Sequence, residues 1–555
     1  MTSPSDGDRL GRYAPWAAGL LLALPVLVAK YPPMDDLPLH EASIGLWRHW
    51  GESRFTPAAL YFLNLGHSNQ LYSFLVLPLA FVFPIAWASK IVVACSLLAL
   101  PLAAAHLSTH LGASRWPALL VAPLGLGWLF FWGLVQNILG LVSLFWLLPA
   151  IDRFAARPTA RGSLAIGCGM VLLHFAHQAM LLVACMALVV CCIGTPMRPR
   201  SIALRVVPIA FCVALVLAGQ AYAWRVAGPR SFHAAPYVFL SLRYKVESIP
   251  GVLFGGFEIY VRNLMMALAV TPVALFAIAR TRQREPREPT LLRRIHKWRF
   301  EWLALLLFLV FLAAPLTMRT TTLVYHRFLP PVWSLVAICA AAHGAGARAR
   351  PLARALCALV PVASLLIAWP SFADSDRVYS DLDTILAPMQ PGAAVMTLNL
   401  GPDQAPRLWS PMSAMGHIVA VHGGRSLFDY SFSPVSPVAQ RPNKQWIEPI
   451  DRMEKDPFQL RPDWDFTRFR YVIIATPKPG LAEAVRVALQ NDAALVASKG
   501  EWYLFESRLP IVPIDADDAP LPLPHPASLR KKLRDLATEI RESEPDAGPP
   551  GEPEP

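Results

Sequence analysis

Apolar runs near or above the ~20 residues that span a bilayer recur from residue 13 to residue 371 of this 555-residue chain. A soluble core cannot absorb them. Hydrophobic residues make up 55%, charged residues only 16%, and the mean hydropathy is +0.41, leaving too little polar surface for a water-soluble protein of this size. The first run, PWAAGLLLALPVLVAK, lacks a small-residue cleavage site and is followed by further apolar runs, so it reads as a membrane helix rather than a cleaved signal peptide. The chain reads as a polytopic α-helical membrane protein.

The net charge of +12 would suggest nucleic acid if it lay on one surface, but it is spread over short loops between apolar runs. Residues 280–299, RTRQREPREPTLLRRIHKWR, carry eight Lys/Arg against two Glu, and 153–161, 198–205 and 348–354 carry three basic residues each. That is the positive-inside signature. It predicts cytoplasmic basic loops, a cytoplasmic N-terminus and no nucleic-acid partner, in a multi-pass protein of a cell membrane. Threading back from these loops gives eleven spans: 13–30, 85–108, 117–133, 136–152, 163–176, 178–194, 202–222, 263–280, 300–318, 328–345 and 353–371. An odd count places everything after residue 371 outside the cytoplasm.

Three organisational units follow. Residues 1–371 form the transmembrane domain, with external stretches at 31–84, 223–262 and 319–327. Within the first, LYSFLVLPLAFVFP (71–84) is too short and Pro-interrupted to cross, and is expected to lie on or dip into the outer leaflet. Residues 372–510 read as a small α/β domain: a helical DRVYSDLDTILAPM, strand-like AAVMTLNL, HIVAVHGG and YVIIAT, the helix LAEAVRVAL, and a strand pair in AALVASKGEWYLFES. The Pro-rich, acidic tail 511–555 is expected to be disordered apart from a short helix in ASLRKKLRDLATEIRES. All eight cysteines lie in apolar segments, which argues against disulfides and CxxC metal sites. No internal repeat and no phosphate-cradling Gly-rich loop is present.

The densest polar cluster is YPPMDDLPLHEA (31–42), at the mouth of the first span. Asp35, Asp36, His40 and Glu41 crowd between Pro33 and the amphipathic run ASIGLWRHW. An ordinary solvated interfacial loop would account for them, since charge at a helix mouth is cheap. Alternatively, a carboxylate pair there can act as a general base towards a hydroxyl, or Asp35 and Asp36 can hold a divalent cation.

A first helix, an acidic external loop, surface-lying helices and a short apolar run before the second span resemble the GT-C superfamily of membrane glycosyltransferases, which includes protein O-mannosyltransferases and aminoarabinose transferases of lipid A. FFWGLVQNILGLVSLFWLLPAIDRF (130–154), HFAHQAMLLV (174–183) and YHRFLPPVWSLV (325–336) are similar to helix motifs of uncharacterised bacterial members. The resemblance implies a sugar moved from a polyprenyl-phosphate carrier to a lipid, glycan or protein acceptor, with Asp36, which begins the D-L-P-L-H run, and with Asp35 and His40 as catalytic candidates. This sequence has D-L-P-L-H where characterised members have a typical Asp-Glu-x-x-Tyr.

The external stretch 223–262 is basic, against the bias elsewhere. Its Arg243, Lys245 and Arg262, with Arg319, His326 and Arg327 on the same predicted side, suit either a carrier phosphate or anionic lipid headgroups, because guanidinium matches phosphate oxygens in bidentate fashion. His174 and His177 share a helix face and suit either a metal or buried hydrogen-bonded structure. His106 and His110 lie towards the cytoplasmic end without acidic partners nearby in sequence. HGGR (422–425) and Asp429 suggest a tight turn or an acceptor contact. The leading reading is a lipid-linked sugar transferase; a lipid-linked sugar transporter or flippase, and a catalytically silent scaffold, are the alternatives.

Overall fold

The computed structural model describes residues 6–52, 56, 58, 61–227, 235–255, 259–281, 295–319, 322–342, 350–400, 414–423, 425–426, 436–441, 453, 456–512 and 527–543. The basic loop 282–294 and Asp429 lie outside them. By length and composition, six described helices are apolar enough to cross a membrane. Shorter apolar helices fill in between them.

The chain opens with α1 (Asp6–Val28), the largely buried helix α2 (Leu37–Arg48), the ten-residue α3 (Leu71–Ala80) and α4 (Ile85–His110). After a broken stretch come α6 (Val135–Ala156), α7 (Ala160–Ala176), α8 (Gln178–Cys192), α9 (Pro199–Ala227), α10 (Leu242–Phe254) and α11 (Ile259–Thr281), then helices Arg299–Ala313, Leu329–Ala342 and Arg350–Leu386. These helices bury one continuous apolar core. At the end bearing the basic loops, Asp152 of α6 accepts hydrogen bonds from Arg299 Nε (2.5 Å) and Nη2 (2.7 Å) and faces His110 Nε2 at 2.8 Å. His110 thus does have an acidic partner. This buried, bidentate pair ties α4, α6 and the helix Arg299–Ala313 together.

All but one of the expected spans fall on a helix. The exception is 117–133. It is built of two 3₁₀ turns, Trp116–Leu120 and Ala122–Gly125, and the single turn α5 (Trp128–Phe131). Prolines at 117 and 123 and glycines at 125, 127 and 133 prevent a regular helix. Residues 117–131 are nonetheless all buried, the condition under which irregular backbone is tolerated at membrane depth.

The helix Arg350–Leu386 runs without a break through residue 371 and enters the α/β domain. There a five-stranded sheet has the order β5 (Arg425–Ser426), β4 (Ala394–Asn399), β7 (Tyr471–Ala475), β9 (Trp502–Ser507), β8 (Ala493–Lys499). β7 is parallel to β4 and antiparallel to β9. Its residues alternate between two cores: Val472 and Ile474 face Val485 and Leu489 of the helix Pro479–Leu489, while Tyr471, Ile473 and Ala475 face Val378, Leu382 and Ile385 of the long helix. Leu529, which begins the helix Leu529–Ser543, is fully buried in the first core.

HIVAVHGG corrects the sequence reading. It is not a strand: Ala414–His422 is a helix packed on α2. Tertiary contact overrides its β-branched composition, because Gly416 lets the two backbones touch. A Cβ at Gly416 would stand 2.2 Å from the carbonyl of Pro38. Short strands β1 (Tyr61–Leu63) and β6 (Val438–Gln440) pair antiparallel and tie the first loop to the α/β domain a second time.

Gly416→Val should therefore destabilise the protein by about 1–3 kcal/mol, as overpacked contacts do. Faster amide exchange is expected in α2 together with 414–422, but not in α6 or α7; unchanged exchange in α2 would show that the two helices are not coupled.

Candidate functional site

Backbone hydrogen bonds tie the acidic loop to the end of the broken crossing. Asp35 N donates to Phe131 O (2.8 Å) and Asp36 N to Trp132 O (3.2 Å). The broken crossing thus delivers its last carbonyls to the acidic loop. Gly133 allows this approach. Its φ is +72°, and a Cβ there would lie 2.5 Å from Asp36 N and 2.8 Å from Leu37 N. Pro38 in the first turn of α2 then starts this largely buried helix, with Asp36 at its N-cap position.

Asp35 and Asp36 are both partly exposed. Burial pushes the Asp36 carboxyl up to about 7; the neighbouring charge of Asp35 adds to this, and Arg327 opposes it. Asp36 therefore changes protonation state near neutral pH with a guanidinium in electrostatic range. Arg327 lies in the turn Tyr325–Phe328 and reaches His177 Nε2 through Nη1 (3.0 Å). Beside it, His326 is buried and stacks on Trp128 with ring centroids 4.7 Å apart. Burial, then Arg327, brings its imidazole down to about 4, so it is neutral at physiological pH. Trp128 also packs on Trp132 (6.0 Å), the residue whose carbonyl holds Asp36. Asp35, Asp36, His326 and Arg327 thus gather around the end of the broken crossing.

Other sequence candidates sit elsewhere. His40 is buried behind the loop; Gln136 Nε2 donates to its Nδ1 (3.2 Å), its ring meets Tyr72 (5.5 Å), and burial holds it down at about 3. It is a neutral packed imidazole rather than a third carboxylate partner. Lys245 is 1% exposed and its Nζ donates to Leu312 O (2.7 Å) and Ala314 O (2.6 Å), satisfying the C-terminal carbonyls of the helix Arg299–Ala313. Arg243 is exposed and pairs with Glu247 at 2.8 Å. Two positions apart on one helix, Arg243 and Lys245 point in nearly opposite directions and cannot share a phosphate. Arg262 lies against α10, its Nη1 at 3.4 Å from where a Gly251 Cβ would stand. Arg319 is described only as backbone, in β3 (Thr317–Arg319) paired with β2 (Ala235–Val238). His106 stacks on Trp146 (4.5 Å).

No group of three or more His, Cys, Asp or Glu side chains able to hold a metal ion occurs among the described residues. Asp35 and Asp36 are thus two ligands without a third of these types, and His174 and His177 have no such company. His174 instead faces Gly66 O (3.5 Å).

Sequence reasoning missed a second acidic centre. Glu41 is buried on α2, and burial pushes it up to about 7 against the opposing influence of His417, Ser89 and Lys90. Asp383, on the long helix, accepts from Tyr31 Oη, from Lys30 Nζ (2.9 Å) and from His417 Nε2 (2.9 Å). Asp376 accepts from the backbone N–H groups of Lys30 (3.1 Å) and Tyr31 (2.6 Å). No linear pattern joins residues 30–41 to 376–417; only the acidic spacing in DRVYSDLD hints at it.

Solved structures with the same fold are ArnT from Cupriavidus metallidurans. In the apo state it aligns with a TM-score of 0.51 at 10% identity, over 90% of this chain and 98% of that one. Its undecaprenyl phosphate-bound form gives 0.49 at 11%, over 88% and 96%. No family model and no curated protein matches the sequence. The chain has the fold of ArnT, a 4-amino-4-deoxy-L-arabinose transferase and GT-C glycosyltransferase, as the resemblance implied.

Gly133→Ala should separate Asp36 from the broken crossing, since the added methyl meets backbone and the left-handed conformation disfavours it by about 1–2 kcal/mol. A lowered melting temperature in detergent, with faster exchange at the Asp35 and Asp36 amides, is the expected outcome; parental values for both would dismiss the clash.

Proposed function

We propose that the chain is a membrane glycosyltransferase that moves a sugar from a polyprenyl-phosphate donor to an acceptor hydroxyl on a lipid, glycan or protein. The observation carrying this is the Asp35–Asp36 pair seated on the end of the broken crossing, with Arg327 in electrostatic range of Asp36, in a fold shared with ArnT. The ionised Asp36 carboxylate takes the acceptor's proton. The acceptor oxygen bonds to the anomeric carbon while the bond from that carbon to the carrier phosphate breaks. The electron pair leaves on the phosphate oxygen, where Arg327 balances the growing charge. Asp35, on the same loop, stabilises positive charge developing on the sugar ring. A titration near 7 suits a base working near neutrality, because basicity and ionised fraction are then both adequate. His326 and Trp128 supply an apolar, neutral wall beside the guanidinium.

Site and basic loops lie at opposite ends of the helices in this reading, so the acidic loop and the α/β domain share the non-cytoplasmic side. Single cysteines at the exposed residues 52 and 483, in a cysteine-free background, should both react with an impermeant maleimide in intact cells. Labelling of one alone breaks the threading.

Asp36→Asn should lower the transfer rate by about 10²–10⁴-fold, measured on purified protein with lipid-linked sugars. The parent rate should fall as pH drops below about 7, where Asp36 takes up its proton. Stability should move the other way. A carboxyl whose folded pKa is raised favours the fold most below its unfolded pKa, and that advantage is lost as pH rises through the folded value. Asp36→Asn should hence match or exceed the parent's melting temperature above pH 7. Parental turnover in Asp36→Asn would remove the base from this loop.

A further inference from the structure

The backbone of the turn that carries Arg327 is tied at its start, where Val324 N donates to Leu316 O (3.0 Å) and Tyr325 N to Pro315 O (3.2 Å). Leu323, just before it, has φ +57°, and Arg327 Nη2 reaches Thr322 O only at 3.4 Å. Its Nη1 meets His177 Nε2 at 3.0 Å. Arg327 can only donate, so His177 Nε2 must accept, and the imidazole carries its proton on Nδ1.

His177 is unusually fixed. It is the single residue between α7 and α8, with extended backbone (φ −165°, ψ 122°). Its N–H donates to Leu173 O (2.7 Å) and its carbonyl accepts from Met180 N (3.0 Å). α6 closes on it from the side: a Cβ at Gly140 would lie 2.7 Å from His177 Cβ. The ring is 3% exposed, and its Nδ1 has no hydrogen-bond partner among the described residues. A histidine present only for packing would be better replaced by an apolar ring, because a buried donor without a partner disfavours the fold. The acceptor at Nε2 is what an apolar ring lacks.

We propose that His177 is a positioning residue that holds the Arg327 guanidinium beside Asp36. This deepens the transferase reading and rests on it for its catalytic meaning, though the geometry it asserts can be tested without catalysis. The charged groups acting on Asp36 are Asp35 and Arg327. His326 next to Arg327 and His40 behind the loop are held neutral by burial. Releasing Arg327 removes the one influence that lowers the Asp36 titration, so that titration moves to higher pH.

The test uses the full-length protein in detergent and reads the pH dependence of Asp36 modification by a hydrophobic carbodiimide, which attacks the protonated carboxyl, by peptide mass spectrometry. His177→Phe keeps an aromatic ring but removes the acceptor. It should shift half-modification to higher pH as far as Arg327→Gln does, and the double variant should shift no further. His177→Gln, which returns an acceptor near the same place, should restore most of the parental profile. Should His177→Phe not fold, His177→Leu against His177→Gln supplies the same contrast. An unmoved profile in the variants lacking the acceptor, or additive shifts in the double variant, overturns the proposal. In a parallel transfer assay kcat should fall about 10²-fold in His177→Phe, the scale of a misplaced reacting group, with recovery in His177→Gln. A shifted profile in a protein whose parent transfers no sugar would leave the positioning intact and sink the transferase reading instead.

Discussion

Two backbone hydrogen bonds, from Asp35 and Asp36 to the carbonyls of Phe131 and Trp132, fix the site, and they exist because one membrane crossing is not a regular helix. A continuous α-helix would satisfy those carbonyls internally until its last turn. The 3₁₀ turns and short α5 leave carbonyls available where the chain surfaces, and the acidic loop supplies the donors. Burial of residues 117–131 makes this irregular path possible within a membrane. Gly127 serves the same arrangement from α10, since a Cβ there would be 2.5 Å from Leu253 O. The crossing, the loop and α10 therefore fold as one unit.

On this frame, electrostatics favours a poised carboxyl over a closed ion pair. Burial is the largest influence on Asp36, and Arg327 lowers its titration without cancelling that effect. A tight bidentate pair has the geometry seen elsewhere in the chain, where Arg299 occupies both oxygens of Asp152. The two arginine–aspartate arrangements lie at opposite ends of the helices and differ in purpose. One holds helices together through both carboxylate oxygens; the other sets Arg327 in electrostatic range of a carboxyl that burial keeps titrating near neutrality.

How much of this was legible in the sequence follows from what kind of signal each feature leaves. Spans and the acidic loop are local properties of composition, and the sequence analysis finds them. Trp116–Phe131 looks like any other apolar run, and its breaks are legible only in its prolines and glycines. Gly133 and Gly416 carry no chemical mark; their necessity appears only when another backbone is seen lying against them. The basic loop 223–262 misled, because charge counts say nothing of direction. Lys245 turns inward to cap a helix, and Arg243 turns outward to Glu247. Arg327 and His177, 150 positions apart, meet only through the packing of α6 against the α7–α8 break.

The α/β domain bears on the site through the back of the loop rather than its face. Tyr31 and Lys30 bond Asp383 and Asp376 on the long helix, His417 joins Asp383 from the helix Ala414–His422, and Gly416 seats that helix on Pro38. Lys30, Tyr31 and Pro38, the loop residues in these contacts, all lie within six residues of Asp35 or Asp36 along the chain. Ordering a backbone residue costs about 1–2 kcal/mol, so a loop bounded by Pro32 and Pro33 and tied on both sides enters any reaction already ordered. The helix Arg350–Leu386 makes that tie rigid, because one unbroken element carries both the membrane contacts near Phe372 and the carboxylates at 376 and 383. A carboxylate held in this way keeps its distance from a guanidinium fixed by separate helices, which is the preorganisation that the proposed sugar transfer would draw on.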